Sequence, residues 1–221
     1  MKIAVFETST EWCGAALWLD GEVRALEQRA GNRHGELVLP MLERLLARAG
    51  LAPKHLDAVA FGAGPGAFTG IRIACGVAQG LALARGLPVL GVSTLEAIAE
   101  ESGAARAMAC LDARMREVYY AAFEKDVRGW REVVGPQCVA AQAVKKPDGR
   151  EWLGCGSGFS IFPDLLRSEI PVKPEIHPSA VAVARLAAPR LARGEGVDAS
   201  LAAPVYVRDK VAYTKAELEA R

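Results

Sequence analysis

Short apolar segments separated by polar turns occupy the beginning of the chain. Asp20-Gly21 stands between two of these segments, and an Asp-Gly pair in that position is a hairpin signal. The pattern therefore predicts a three-stranded meander whose second and third strands form the hairpin. Its strands are residues 3–6, 15–19 and 23–27.

The hydrophobic period then changes to that of a helix. Residues 36–49 place apolar side chains at i, i+3 and i+4, and Gly50 is positioned to end that helix. Because proline is not tolerated deep in a helix, Pro40 predicts that the regular part begins within one turn of it. Further strands are predicted at 58–61 and 87–92, and further helices at 71–85 and 94–100, the last capped by Ser93 or Thr94.

The pattern restarts near residue 107, after a cluster of glycine and small residues at 102–107. Strands are predicted at 108–111, 117–123, 131–134 and 152–153, and an alanine-rich helix capped by Ser179 is predicted at 179–192. We therefore predict an α/β protein of two lobes, residues 1–104 and residues 105–221. The similarity of the halves is one of pattern, since no repeat is visible at the residue level.

The composition of the chain excludes several classes of protein. Apolar residues make up 51% of 221 residues, which excludes a chain disordered through low hydrophobicity. Lys and Arg number 27 against 26 Asp and Glu, and this balance argues against a protein that grips nucleic acid alone. Five cysteines without a CxxC pair indicate reduced thiols in a cytoplasmic protein. We expect neither a signal peptide nor a membrane span.

A glycine-rich loop at 62–70 lies between a predicted strand and a predicted helix, where backbone N–H groups can approach an anion. No lysine follows its glycines as a P-loop requires. Gly62-x-Gly64-x-x-Ala67 fits the loose dinucleotide fingerprint, but residues 80–90 lack the acidic residue that this fingerprint needs. We expect a tight turn with close packing; a dinucleotide-binding oxidoreductase is the alternative.

The helix after this loop is unusually rich in small residues. Gly76 and Gly80 lie four residues apart, beside a row formed by Ala74, Ala78 and Ala82. Glycine inside a helix costs about 0.5–1 kcal/mol relative to alanine, so two of them need a geometric reason. Close packing inside the chain and a close contact with a partner subunit both remain open.

Catalytic motifs are scarce. His34, His55 and His177 form neither an HxxxH nor an HExxH pair, and no G-x-S-x-G elbow occurs. The remaining candidate is the end of the first strand, where an acidic residue and hydroxyl groups could hold hydrated Mg²⁺ and a phosphate. These residues are Glu7, Thr8, Ser9 and Thr10, for which a turn capped by hydroxyl groups is the alternative.

The chain resembles the TsaB family, also called YeaZ, over nearly its whole length. Its most specific segments are GPGAFTGIRI at 64–73 and DARM at 112–115. Other matching segments, in order, are ETST at 7–10, HGE at 34–36, LPM at 39–41, VAQGLA at 77–82, GVSTL at 91–95 and VYVRD at 205–209. Two departures from the family concern the candidate phosphate site. The family usually has Asp where this chain has Glu7, and Ser where this chain has Gly35 and Ala67.

The resemblance implies two ribonuclease-H-like lobes of the actin, Hsp70 and sugar-kinase (ASKHA) superfamily. It implies a non-catalytic partner subunit that supports threonylcarbamoyl (t6A) modification of adenosine 37 in tRNAs reading ANN codons. The related enzyme of the family is TsaD, which binds a metal through a histidine pair that this sequence lacks. TsaB proteins form a heterodimer with TsaD and support the ATPase subunit TsaE.

The resemblance also places the partner surface on two helices, at 36–49 and 71–85. The predicted contact residues are Val38, Met41, Leu42, Leu45, Gly76, Val77, Gly80 and Leu81. We expect a homodimer when the chain is alone, contact with tRNA only through the complex, and no catalytic residue, metal or confident cofactor site. Weak nucleotide binding at a complex interface stays open. The alternative function is an autonomous ASKHA-type ATP-dependent enzyme or a peptidase.

Overall fold

The computed structural model of the chain describes residues 1–164 and 170–208. Asp209, the last residue of the VYVRD segment, lies outside them. Within the described residues, ten strands form two sheets of five. The first sheet contains β1 (Lys2–Glu7), β2 (Trp12–Leu19), β3 (Glu22–Arg29), β4 (Ala58–Gly64) and β5 (Val89–Ser93). The second contains β6 (Arg106–Asp112), β7 (Glu117–Asp126), β8 (Gly129–Ala140), β9 (Leu153–Cys155) and β10 (Val172–Lys173).

Five α-helices of the described ranges accompany the sheets. They are α1 (His34–Arg48), α2 (Phe68–Leu83), α3 (Thr94–Ser102), α4 (Gly158–Ile161) and α5 (Ala180–Ala192). Short 3-10 turns occur at Pro53–His55, Ala141–Ala143 and Ala199–Leu201. None of the helices in the described ranges is long and apolar enough to cross a membrane.

The two sheets share one topology. The first has the order β3-β2-β1-β4-β5 and the second the order β10-β9-β6-β7-β8. In each sheet, an antiparallel meander continues through a central strand into parallel strands. The predicted meander and the restart of the pattern in the second half are confirmed. The fold is therefore the predicted α/β architecture of two ribonuclease-H-like lobes.

The central strand β1 is buried on both faces, which explains its continuous apolar sequence. Ala4 and Phe6 face the core that α1 and α2 cover. Ile3 and Val5 face the opposite core, which is covered by α5. The side-chain alternation of a strand thus sends successive residues into two different cores.

Two helices link the sheets. Helix α3 follows β5 and contacts β4 and β5 of the first sheet as well as β6 and β7 of the second, whereas α5 follows β10 but packs on β1, β2 and β4 of the first. Leu95 and Ile98 of α3 consequently lie in a core with residues of β6 and β7. The chain passes from the first sheet to the second between β5 and β6. The division into lobes 1–104 and 105–221 stays a prediction.

The helix ends follow local chemistry. The side chains of Ser93 and Ser179 accept hydrogen bonds from the backbone N–H groups of Glu96 at 3.4 Å and Ala182 at 3.0 Å, as N-caps. Gly50 has a φ of 66° and ends α1 as predicted. The expectation for Pro40 was wrong, because α1 already begins at His34, six residues earlier. At this position proline removes the N–H that would pair with the carbonyl oxygen of Glu36, and α1 continues past it.

Some predicted strands were too short. We predicted residues 131–134, whereas β8 extends over Gly129–Ala140 and pairs with β7 along its length. Gly135 and Pro136 interrupt the apolar pattern that would have indicated a longer strand. Register shifts between Tyr120 and Ala122 and between Ala122 and Phe123 absorb this interruption, so the ladder continues beyond it.

Candidate functional site

The end of β1 and the glycine-rich loop interlock. The backbone N–H of Ala67 donates to the carbonyl oxygen of Ser9 at 2.7 Å, and the hydroxyl of Thr8 donates to the carbonyl oxygen of Gly70 at 2.7 Å. A Cβ atom on Gly66 would lie 2.5 Å from the carbonyl oxygen of Ser9. The glycines therefore serve close backbone packing, as the sequence predicts, and the space against the loop is filled by the chain itself.

Glu7 is fully buried at the end of β1. One carboxylate oxygen accepts a hydrogen bond from the backbone N–H of Ser9 at 2.6 Å, whereas Oε2 has no partner among the described residues. Burial raises the pKa of Glu7 to about 7, against the lowering effect of Ser9. A Cβ atom on Gly62 would collide with this carboxylate, so glycine at 62 makes room for it.

The other members of the candidate phosphate site also face inward. Thr8 and Ser9 are buried, and only Thr10 is partly exposed. The carbonyl oxygen of Thr10 lies 2.8 Å from Nε2 of His34 at the start of α1. The structure thus brings Glu7–Thr10 together and pairs the hydroxyl groups of Thr8 and Thr10 within the chain, whereas the hydroxyl of Ser9, like Oε2 of Glu7, has no hydrogen-bond partner among the described residues. This geometry favours the capped turn over a site for phosphate and Mg²⁺.

The thiol groups do not favour nucleophilic chemistry. All five cysteines are free, and four of them are buried. Burial raises the pKa of Cys13 to about 11 and that of Cys110 and Cys155 to about 12. These three groups are therefore protonated thiols at neutral pH. In the described ranges, no group of three or more His, Cys, Asp or Glu side chains is arranged to hold a metal ion.

Helix α2 presents a stripe of small residues at the surface. Gly76 and Gly80 are exposed, and a Cβ atom added to either would meet nothing within 4 Å. Val77 and Leu81 lie half-buried beside them, and Leu83 is 70% exposed. These glycines are therefore not explained by packing within the chain. The four predicted contact residues of this helix lie where a partner can reach them.

The predicted contact residues of α1 lie elsewhere. Val38, Met41, Leu42 and Leu45 are at most 4% exposed, in the core between α1 and the first sheet. They are therefore not part of a free surface, and this part of the predicted contact is corrected. The surface side of α1 carries Leu39, Pro40, Glu43, Arg44 and Ala47 instead. An amphipathic helix buries its apolar side against its own sheet first.

Residues 202–208, which we call the strap, run from the first lobe to the second. The amide of Gln79 donates to the carbonyl oxygen of Ala202 at 2.8 Å, and the N–H of Val205 donates to that of Ala63 at 2.8 Å. At its end, the Arg208 guanidinium donates to the carbonyl oxygen of Ala113 and to the Glu117 carboxylate, both at 2.7 Å. The VYVRD segment marks part of the strap in the sequence, but no sequence pattern shows its contacts, because its partners are far apart in the chain.

A second feature absent from the sequence reasoning lies beside α5. Nε2 of His177 is 3.0 Å from the carboxylate of Glu27, and its ring stacks on Trp12 with centroids 4.4 Å apart. The hydrogen bond with Glu27 raises the pKa of His177. Glu101 and Glu175 line the same cavity, of roughly 370 Å³. These contacts hold the segment before α5 against β2 and β3.

Comparison with known proteins agrees with this geometry. Residues 27–163 match the protein-family model described as "TsaD: tRNA N6-adenosine threonylcarbamoyltransferase". The tRNA threonylcarbamoyladenosine biosynthesis protein TsaB of Escherichia coli is 37% identical, over 97% of this chain and 98% of that protein. The protein of the same name from Haemophilus influenzae is 32% identical, over 97% of both chains.

A solved structure extends the likeness to three dimensions. The structure of YeaZ from Pseudomonas aeruginosa superposes with a TM-score of 0.88 at 38% identity. The match covers 93% of this chain and 99% of that protein. Sequence identity over nearly the full length and the same arrangement of both lobes lead to one conclusion. The chain is a member of the TsaB family, whose proteins are also called YeaZ.

Proposed function

We propose that the chain is a non-catalytic partner subunit in the synthesis of N6-threonylcarbamoyladenosine in tRNA. Relatives that match it from end to end carry the name of that biosynthesis. In this proposal the chain forms a heterodimer with TsaD and supports TsaE, and TsaD performs the transfer. The observation that carries it is the open stripe on α2, where Gly76 and Gly80 face solvent without any internal use.

Two further observations support a role without catalysis. The hydroxyl of Thr8 and one carboxylate oxygen of Glu7 bond to the chain itself, and Glu7, Thr8 and Ser9 are all buried. The buried thiols are protonated at neutral pH, which is unfavourable for a nucleophile. Neither feature leaves an evident reaction centre of the chain's own, whereas a partner subunit needs only a surface.

The surface suits a close helical contact. Glycine lets two helix backbones approach more closely than larger residues allow, while the half-buried Val77 and Leu81 offer apolar area at its edge. Leu39 on α1, which is 45% exposed, extends the apolar area on the same side of the first sheet. When the partner is absent, the stripe can meet the same stripe of a second copy, and this contact is the one we expect in the homodimer.

An omission experiment tests this function. Threonylcarbamoyl transfer to an unmodified tRNA transcript is reconstituted from TsaD, TsaE and the enzyme that supplies the activated threonylcarbamoyl group, with and without this chain. We expect modified adenosine to be lost without the chain. The chain alone is expected neither to hydrolyse ATP nor to modify tRNA. Normal modification in its absence contradicts the proposal, and tight binding of Mg-ATP to the isolated chain favours the autonomous enzyme.

Replacing Gly76 by leucine is expected to weaken the heterodimer by at least about a hundredfold, because the side chain occupies the space that a partner helix needs. The monomer is expected to unfold cooperatively as before, since nothing lies within 4 Å of that position. Isothermal titration with TsaD and chemical denaturation measure the two effects. Gly76→Ala is the matched control: it stabilises the helix by about 0.5–1 kcal/mol and adds little volume. Unchanged affinity of the leucine variant contradicts the proposed contact.

A further inference from the structure

Exposed arginine and aromatic side chains lie along the strap and around the turn that the strap reaches. We name this region the arginine surface, and it consists of Phe68, Arg72, Arg114, Arg116 and Tyr206. All five residues are exposed, and the two aromatic residues retain 51% and 50% exposure. They come from three separate segments of the chain, so the surface exists only in the folded protein.

Arg72 orders one end of the surface. Its guanidinium carbon lies 3.6 Å from the centroid of the Phe68 ring, and its Nε donates to the hydroxyl of Tyr206 at 2.7 Å. The two rings are 6.0 Å apart and tilted by 40°. The cation–π contact and the hydrogen bond hold three side chains in place that would otherwise move freely. This preorganisation lowers the entropic cost of binding a planar group there.

The other end is the turn between β6 and β7. Arg114, Met115 and Arg116 have φ angles of 63°, 55° and 62°, in the left-handed region that side chains other than glycine and asparagine seldom adopt. Arg208 of the strap stabilises this conformation through its bond to the carbonyl oxygen of Ala113. Such strain is typical of functional positions. Its result here is a tight turn whose two arginines are exposed.

The charges of the region are unbalanced. Arg208 pairs with Glu117, and Arg114 lies 3.2 Å from the carboxylate of Asp112. Arg72 and Arg116 have no carboxylate within ion-pair distance among the described residues. Among the described residues, four guanidinium groups thus meet two carboxylates at this place, although the chain as a whole is almost neutral. The sequence does not show this excess because the arginines are scattered along it.

We propose that the arginine surface binds unpaired nucleotides of the tRNA substrate; this rests on the proposed function. Guanidinium groups recognise phosphates, and exposed aromatic rings stack with bases that are not paired. Tyr206 and Arg208 are two residues apart, so the aromatic end and the turn lie within the reach of a short stretch of RNA. The surface begins at Phe68 and Arg72, in the same row of α2 as Gly76 and Gly80, and it therefore adjoins the proposed partner contact.

The charge contribution is tested by removing Arg72 and Arg116, the two arginines of the surface that form no ion pair within the described part of the chain. The full-length chain in complex with TsaD is titrated against an unmodified tRNA transcript, and binding is followed by fluorescence anisotropy at several salt concentrations. For the double variant Arg72→Gln, Arg116→Gln we expect about tenfold weaker binding at low salt. The slope of log affinity against log salt falls by about 1.4, since each lost contact with single-stranded RNA removes about 0.7.

The control removes the same charge elsewhere. Lys145 and Arg128 are exposed residues of the second lobe, outside the arginine surface. We expect Lys145→Gln, Arg128→Gln to bind tRNA as the unaltered chain does. If both double variants weaken binding equally, the effect is one of overall charge and the proposal is overturned. It is also overturned if Arg72→Gln, Arg116→Gln leaves tRNA binding unchanged.

The aromatic contribution is tested at Tyr206. Tyr206→Ala removes the ring and is expected to weaken binding of the transcript about tenfold, whereas Tyr206→Phe keeps the ring and loses only the hydroxyl that Arg72 contacts. Equal loss in both variants contradicts stacking. A different result points to a protein contact: the variants bind TsaD more weakly, but the heterodimer that they still form with TsaD binds tRNA as the unaltered heterodimer does. In that case the surface contacts a protein and not tRNA. Normal modification in the omission experiment would refute the proposed function. These titrations measure RNA binding independently of modification, so the two results can be told apart.

Discussion

Replacing Gly70 by alanine is expected to lower the free energy of unfolding by about 3 kcal/mol, the upper range for overpacking a well-packed core. A Cβ atom at this position would lie closer than 3.0 Å to the carbonyl oxygen of Thr8 and 3.1 Å from its carbonyl carbon. Both atoms belong to the backbone, so no side-chain rotation relieves the collision. The variant must separate the end of β1 from the start of α2, and this separation strains the hydrogen bond between Thr8 and Gly70.

Equilibrium unfolding in urea measures this effect, with circular dichroism as the probe. The matched control is again Gly76→Ala, which makes the same chemical change in the same helix at an open position. There we expect a gain of about 0.5–1 kcal/mol from helix propensity. If the two variants differ by less than about 1 kcal/mol, the interlocking of the two loops does not contribute as the structure indicates.

Glu7→Gln is expected to change how the stability of the protein depends on pH. The pKa of Glu7 is about 7 in the folded protein, against an ordinary value of 4.5, because the carboxyl group is buried. A raised pKa means that folding favours the protonated form. The stabilising effect of that proton is complete below pH 4.5 and is lost as the pH rises through 7. The loss is about 3 kcal/mol, at about 1.36 kcal/mol per pH unit.

Glutamine cannot ionise, so the Glu7→Gln variant does not lose this stability as the pH rises. The difference in unfolding free energy between Glu7→Gln and the unaltered chain is therefore expected to increase by about 3 kcal/mol, in favour of the variant, from pH 4 to pH 8. Urea titrations at intermediate pH values follow the change. Glu43→Gln, which removes an exposed carboxylate from the surface of α1, serves as the control. A difference that does not vary with pH contradicts a raised pKa at Glu7.

The burial of Glu7 also bears on the relation between sequence and site. The resemblance leads us to expect aspartate at this position, and the longer glutamate needs additional space. Gly62 on the neighbouring strand supplies it, because any Cβ there would collide with the carboxylate. Gly62 thus has the close-packing role that the sequence led us to expect for its loop, although the group packed against it could not be foreseen. That contact becomes visible only when β1 and β4 lie side by side.

The two helices of the predicted partner contact show where sequence reasoning stops. Both α1 and α2 have a recognisable period, but the period does not say which side faces the chain's own core. Val38 and Leu42 of α1 are buried against the first sheet, while the glycines of α2 are left at the surface. The small residues left packing within the chain and contact with a partner open as alternatives. The open surroundings of Gly76 and Gly80 argue against internal packing at these two positions, and the partner contact stays a prediction.

The sequence by itself determined the family, the α/β class, the meander at the start of each half and the serine caps of α3 and α5. These features rest on local chemistry: the period of apolar residues, an Asp-Gly turn, and hydroxyl groups beside the first N–H groups of a helix. Each involves residues close together in the chain, so their meaning is visible without a fold.

Only the tertiary structure decided what depends on distant residues. Arg72 and Tyr206 are separated by 134 positions, and Glu27 and His177 by 150, yet each pair forms a hydrogen bond. The burial of Glu7, the exposure of Gly76 and the excess of arginine around the strap likewise follow from which segments pack together. No local pattern encodes such contacts, because each one arises when the packing of whole sheets and helices brings distant side chains to the same place.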